Sequence, residues 1–266
     1  MIETPFNYTG SKFKLLSQIL PEFDYSKDNF VDVFCGGGSV YTNILNKYQS
    51  IFINDIISDL IGIHKELMFS DEIIEKTKLL CPGKLNPEGY SKLRDSYNQN
   101  PSSENLWALM LSCTNNMMRF NQKFKFNQTY GNRGWNSNTD IKVDNFKNHI
   151  REFKDKVKYE STHFENLDFD KNHMLYIDPP YSNTEAGYNA FWKKDDDLKL
   201  YNWIKSADDT GCTFAVSGTL EHDGKSCLLL DNLVSDGYKV IELKFDYNKV
   251  SRKGNKETKE VLIKNY

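Results

Sequence analysis

The chain has 266 residues, 39% hydrophobic and 27% charged, with a net charge of −3, which suits a globular protein of one domain or one domain carrying an insertion. No stretch approaches the roughly 18 apolar residues of a membrane span, and the start MIETPFNYTGSKFKLL lacks an apolar signal core, so a cytoplasmic location with no membrane partner is expected. Cys35, Cys81, Cys113, Cys212 and Cys227 form no C-x-x-C pair and the five histidines no H-x-x-x-H pair, which argues against zinc, redox dithiol or other metal chemistry.

Apolar runs bounded by turn residues predict strands at 29–34, 50–54, 157–160, 174–177, 212–217, 239–245 and 260–263. Helices are expected over 41–48 and over 195–207, where Leu198, Tyr201, Trp203 and Ile204 recur at helical spacing before Gly211. Strand and helix in alternation predict a mostly parallel α/β sheet. Residues 57–156 differ: two helix-like stretches (61–80 and 103–120) precede a polar, loop-like region with a possible hairpin in FNQKFKFNQTYGNRGW. This segment reads as an insertion, which divides the chain into a domain of residues 1–56 and 157–266 and an inserted domain of residues 57–156. Charge is segregated as well. Residues 119–158 hold ten Lys/Arg against four Asp/Glu, and residues 244–266 seven against three, so the remainder carries −13. A basic face toward a polyanion is one reading and a solvated surface the other.

The first motif, NFVDVFCGGGSVYTNIL, joins a buried strand to Gly36, Gly37 and Gly38. Glycines at such a turn let a ligand approach the main chain, although Tyr41 occupies the third position of the dinucleotide fingerprint. In IFIND, Asp55 ends the next strand 17 residues after Gly38, where a carboxylate accepts from ribose hydroxyls or caps a helix.

MLYIDPPY places Asp178, Pro179, Pro180 and Tyr181 at the carboxyl end of an apolar strand, where open α/β sheets build their sites. Two prolines stiffen the backbone and aim the Pro179 carbonyl. An exocyclic base amine is a poor nucleophile because its lone pair is delocalised into the ring. The Asp178 carboxylate and Pro179 carbonyl, accepting its two hydrogens, would free that lone pair, while Tyr181 offers a face for stacking an unpaired base.

With these motifs the chain resembles the Dam-type DNA adenine methyltransferases, in the group whose glycine loop precedes a target-recognition insertion and whose Asp-Pro-Pro-Tyr follows it. The likeness takes in Tyr8-Thr9-Gly10-Ser11-Lys12, FVDVFCGGGSV, IFIND, NNMMRFN, TYGNRG, His163-Phe164, DPPY, Tyr188-Asn189-x-Phe191-Trp192 and the Ser-x-x-x-Glu-His of 217–222. It implies a Rossmann-like fold binding S-adenosylmethionine and releasing S-adenosylhomocysteine, with no metal. Tyr8, Lys12, Phe34, Gly36, Gly38, Asp55, His163, Phe164, Asp178 and Tyr188 would line the cofactor. Catalysis would fall to Asp178, Pro179, Pro180 and Tyr181.

The resemblance further implies that the insertion is mainly helical with a β-hairpin and binds double-stranded DNA. Asn115 and Met117 would meet target bases, Arg119 and Arg133 bases and backbone, and Lys123 and Lys125 phosphates. The implied target is the N6 of a flipped adenine in GATC, within a bacterial or phage-infected cell and with a restriction partner or none, by a monomer or weak dimer. Thr129 and Thr114 depart from the pattern, where a phage-type relative has proline and an aromatic. Other planar amines (cytosine N4, an RNA base, a protein glutamine) and an inactive DNA-binding relative are the alternatives; a nicotinamide oxidoreductase is disfavoured by the missing third glycine.

Overall fold

The computed structural model describes residues 1–6, 8–181, 192–222, 224–244 and 258–266. Its strands are β1 (Asn29–Asp32), β2 (Ser50–Asn54), β3 (Val157–Glu160), β4 (His173–Ile177), β5 (Thr213–His222), β6 (Lys225–Ser226), β7 (Lys239–Leu243) and β8 (Thr258–Lys264). They form one sheet in the order β3-β2-β1-β4-β5-β8-β7, with β6 paired to β5 alone. The first five strands of that order run parallel, as expected, while β8 is antiparallel to both neighbours.

Apolar residues in β1 and β4 alternate between two cores, as the two-residue period of a strand requires. Phe30, Met174 and Tyr176 face one core, and Val31, Leu175 and Ile177 the other. The second core is closed by α7 (Lys194–Asp209) and α8 (Leu228–Ser235), through Leu200, Ile204, Leu229 and Leu233. On the first face lie the single turn α1 (Leu16–Ile19) and, within the β2–β3 connection, α2 (Ser58–Phe69), α3 (Glu72–Leu80), α4 (Pro87–Gln99), α5 (Ser103–Ser112) and α6 (Ser137–Ile150). Leu60, Leu106, Trp107 and Phe146 of these helices belong to the same buried cluster as Phe30 and Ile51 of the sheet. Each such buried side chain contributes about 1.5–3 kcal/mol, so the connection and the sheet stabilise one another. The result is a mixed α/β fold consistent with a methyltransferase.

Three local expectations are corrected. Residues 41–48 form no α-helix, only a 3-10 turn at Tyr41–Asn43. Thr42 Oγ1 donates to the Gly38 carbonyl at 2.6 Å and Asn43 Nδ2 to the Ser39 carbonyl at 2.9 Å, side-chain bonds that compete with helical ones. The region after α5 is not all loop. Asn136 accepts from the backbone N–H groups of Asn138 and Thr139, and a narrow stripe of Thr139, Val143, Phe146 and Ile150 buries α6. The expected hairpin is reduced, among the described residues, to antiparallel bridges between Cys113 and Tyr130 and between Phe120 and Phe126.

Candidate active site

β1 has β2 on one side and β4 on the other, and the chain reaches them through connections that leave in opposite directions. Loops at the carboxyl ends of such strands separate and leave a crevice. Here that crevice is a cavity of about 500 Å³ lined by the segment Tyr8 to Lys12, the glycine loop, Asp55, His163, Phe164 and Asp178 to Tyr181. Its outer wall comes from the β2–β3 connection, through Tyr97, Met118, Phe120, Phe124 and Lys125.

At the floor, Asp178 follows directly on β4 and accepts from three side chains. Lys12 Nζ lies 2.7 and 2.8 Å from its two oxygens, Ser217 Oγ donates at 3.0 Å, and the Tyr181 hydroxyl donates to the same oxygen as Ser217. Tyr176 reaches Ser217 Oγ at 2.7 Å from below. Lys12, only 5% exposed, also donates to the Tyr181 hydroxyl at 2.7 Å and to the Gly10 carbonyl at 3.3 Å. Burial and then the Asp178 charge push the Tyr181 phenol well above its ordinary range, so it remains a donor. Its ring forms part of the buried cavity wall.

The glycine loop is held from three sides. Gly36 donates its N–H to Asp55 Oδ2 at 3.1 Å, while Asp55 Oδ1 accepts from the Ile57 N–H at 3.0 Å. That second contact is an Asx turn just ahead of α2, so Asp55 ties the loops together while keeping lone pairs that could accept from further donors. Burial raises its carboxyl to about 6. Beneath the loop, His64 Nε2 lies 2.9 Å from the Gly36 carbonyl and Nδ1 2.9 Å from the Tyr41 hydroxyl. The carbonyl can only accept, so Nε2 carries the proton and Nδ1 accepts from Tyr41. Burial lowers His64 to about 4, leaving it neutral. Gly36 (φ +48°) packs so closely on the Tyr8 ring that an added Cβ would lie 2.7 Å from it. Gly38 (φ +73°) does not line the cavity, and its missing side chain makes room for Tyr41 and His64.

Asp32, at the end of β1, lines the cavity and is 1% exposed, and among the described residues neither carboxylate oxygen has a partner at hydrogen-bonding geometry. Burial and the nearby Asp178 charge raise its carboxyl well above the usual range, against a smaller opposing pull from the Tyr41 N–H. Phe34, Phe164 and Trp192 cluster at the side wall, with Phe34 5.7 Å from Trp192 and 5.9 Å from Phe164. His163 stacks obliquely on Phe164 at 4.4 Å, and its Nδ1 lies 3.1 Å from Glu165.

The structure thus brings Tyr8, Lys12, Phe34, Gly36, Asp55, His163, Phe164, Asp178, Pro179, Pro180, Tyr181 and Lys125 around one cavity. Tyr188 lies outside the described residues. Asn115, Met117, Arg119, Lys123 and Arg133 do not line it. Asn115 is exposed in the left-handed region, and Met117 is half-buried. Arg119 clamps its own loop through Asn127, at 2.9 Å to both Oδ1 and the backbone carbonyl. Lys123 is exposed, Lys125 donates to the Asn98 carbonyl, and Arg133 Nε reaches the Gly131 carbonyl at 3.5 Å. Thr114 Oγ1 lies 2.9 Å from Thr129 Oγ1, so the two departures from the family pattern are partners.

Sequence reasoning gave no site role to Asp32, His64, Trp192 or Phe124, although Asp32 and Trp192 stand within motifs it quoted. Asp32 carried a signal, an acidic residue inside an otherwise apolar strand directly before the glycines. His64 carried none, because its role depends on α2 packing beneath a loop 28 residues earlier.

A model of the D12 class N6 adenine-specific DNA methyltransferases matches residues 8–248. Among curated proteins, the modification methylase StsI of Streptococcus sanguinis is 32% identical across the whole chain, and the type II methyltransferase M.FokI of Planomicrobium okeanokoites 31%. The chain spans 43% of the length of each. The type II methyltransferase M.MjaIII of Methanocaldococcus jannaschii is 28% identical over 82% of this chain and 85% of its own length. With the family's match running from Tyr8 through the glycine loop and Asp178 to just beyond β7, the chain belongs to the D12 class of N6 adenine-specific DNA methyltransferases.

Proposed function

We propose that the protein transfers a methyl group from S-adenosylmethionine to the N6 amine of an adenine flipped out of duplex DNA, with GATC as the target. The observation that carries this reading is the placement of Asp178-Pro179-Pro180-Tyr181 beside the glycine loop in one cavity at the switch point of the sheet.

The residues present fit the cofactor. The orphaned Asp32 carboxylate suits a cationic ammonium, because a buried polar group without a partner is costly until one arrives. Asp55 offers acceptor capacity to ribose hydroxyls, and Phe34, Phe164 and Trp192 offer faces to a base. When bound, the cofactor supplies an electrophilic methyl group on its sulfonium. The chain's own task is to hold the amine with its two hydrogens on the Asp178 carboxylate and the Pro179 carbonyl, in a site from which water is excluded. Lys12, Ser217 and Tyr181 fix the carboxylate for that purpose.

Residues 57–156 serve in this reading as the target-recognition part, with Arg133, Asn115 and Met117 toward bases, and with Lys123 and Lys125 toward phosphates. Arg119 would either leave Asn127 to reach a base or act by fixing the loop that does. One active site per chain suffices for one base at a time, which suits a monomer or weak dimer.

The test is methyl transfer from labelled S-adenosylmethionine to paired duplexes that differ only in carrying GATC or a scrambled site, with mass spectrometry of the released nucleosides. N6-methyladenine from the GATC duplex alone is expected. Methyladenine from both duplexes would overturn the target assignment, and no methylated base from either would overturn the DNA reading.

A further inference from the structure

We infer that Asn54 is the positioning residue that sets the spacing between the aromatic walls of the base pocket, an inference that rests on the proposed binding of S-adenosylmethionine. Phe34 and Phe164, with ring centres 5.9 Å apart, line the cavity from loops that follow β1 and β3. These strands are not neighbours, because β2 lies between them. Asn54 is the last residue of β2, and its side chain reaches both loops. Nδ2 donates to the Val33 carbonyl at 3.0 Å and to the Thr162 carbonyl at 3.1 Å, while Oδ1 accepts from the Thr162 N–H at 3.0 Å. Val33 directly precedes Phe34, and Thr162 directly precedes His163 and Phe164.

The amide admits one orientation. Turned over, it would set its NH2 against the Thr162 N–H and its oxygen against two carbonyls. The Asn54 backbone carbonyl also accepts from the Cys35 N–H at 2.8 Å, so both chain neighbours of Phe34 are tied to this one residue. Strand pairing between β2 and β3 ends at Asn54 and Glu160, and beyond that point the side-chain amide does for Thr162 what a further backbone rung would do. Ser161 Oγ adds a bond to the Asp55 carbonyl at 3.0 Å, but it does not reach the β1 loop. Asn54 is 2% exposed, so an apolar replacement would leave buried carbonyls and an N–H without these bonds, and the two loops would be free to shift apart. Packing alone does not call for an amide at the end of a buried strand; registering two loops on either side of a base does.

The experiment compares two probes by titration calorimetry: S-adenosylhomocysteine, and S-ribosylhomocysteine, which keeps the ribose and amino acid but lacks the base. The wild type should prefer the first by about 10- to 100-fold. Asn54→Ala is expected to lose about tenfold of that preference, by weakening S-adenosylhomocysteine while S-ribosylhomocysteine stays within about threefold. Asn54→Asp, which keeps the size and the acceptor but turns an oxygen toward the Val33 and Thr162 carbonyls, should lose at least as much. Equal weakening of both probes would make Asn54 a general support of the site and overturn the inference, as would an unchanged preference. Urea unfolding is followed in parallel, and failure of both variants to fold would make Asn54 a residue of the fold rather than of the pocket, which overturns it too. A wild type that binds neither probe would instead overturn the functional reading on which the inference rests.

Discussion

Lys12 Nζ sits 2.7 Å from one oxygen of Asp178 and 2.8 Å from the other, joining residues 166 positions apart in the chain. The contact closes the N-terminal segment over the carboxyl end of β4, and both partners are largely withdrawn from water, with side-chain exposures of 6% and 18%. Removing one member of such a pair strands the charge of the other, which costs more than the pair's net contribution. Lys12→Met should therefore lower stability by about 3 kcal/mol in urea unfolding and reduce methyl transfer, whereas Asp178→Ala should abolish transfer and leave binding to DNA intact in a gel-shift assay. Substantial transfer by Asp178→Ala would remove the carboxylate from the proposed chemistry.

A second prediction concerns Asp55, whose carboxyl burial raises to about 6. With its folded value above its unfolded one, the stability it contributes is complete below about 4 and is lost as pH rises through 6, by about 3 kcal/mol in total. Ribose hydroxyls donating to the ionised carboxylate would recover part of that loss. Binding of S-adenosylhomocysteine, followed by calorimetry, should accordingly weaken about tenfold between pH 7 and pH 5. In Asp55→Asn the affinity should be lower at pH 7 and its pH dependence flattened. Equal pH profiles for the two proteins would remove Asp55 from the ribose.

Which parts of this site could be read from the sequence follows from how local each part is. Strands β2 and β3 occupy the residues expected of them, because short apolar runs between turn residues leave little choice of boundary. The position of Asp178 after β4 was legible for the same reason. Helix α6 was hidden because only its narrow stripe of Thr139, Val143, Phe146 and Ile150 is buried, beneath an otherwise polar surface. Gly38 looked like part of a ligand cradle, but its partners Tyr41 and His64 make it a packing residue, and no spacing rule announces contacts made by a helix that folds back later. The family resemblance placed Lys12 and Asp178 along the cofactor, but the triangle of Lys12, Asp178 and Tyr181 was not anticipated, since nothing local in residues 8–12 points toward β4.

His64 yields the last prediction. It is neutral in the folded protein, lowered to about 4 by burial, with Nε2–H on the Gly36 carbonyl and Nδ1 accepting from Tyr41. In the unfolded chain it takes up a proton near 6.5. Its folded value being the lower, the stability it contributes is present above 6.5 and is lost as pH falls through 4, by about 3 kcal/mol in total. Asp55 acts with the opposite sign over much of the same window, so the bare pH profile of the wild type mixes the two. Comparing wild type with His64→Gln at each pH separates them: glutamine can still donate to Gly36 but cannot take up a proton. Urea unfolding at pH 7, 5.5 and 4.5 should show the variant less stable than wild type at pH 7 and the gap closing as pH falls. A gap of constant size would mean that His64 does not gain its proton on unfolding.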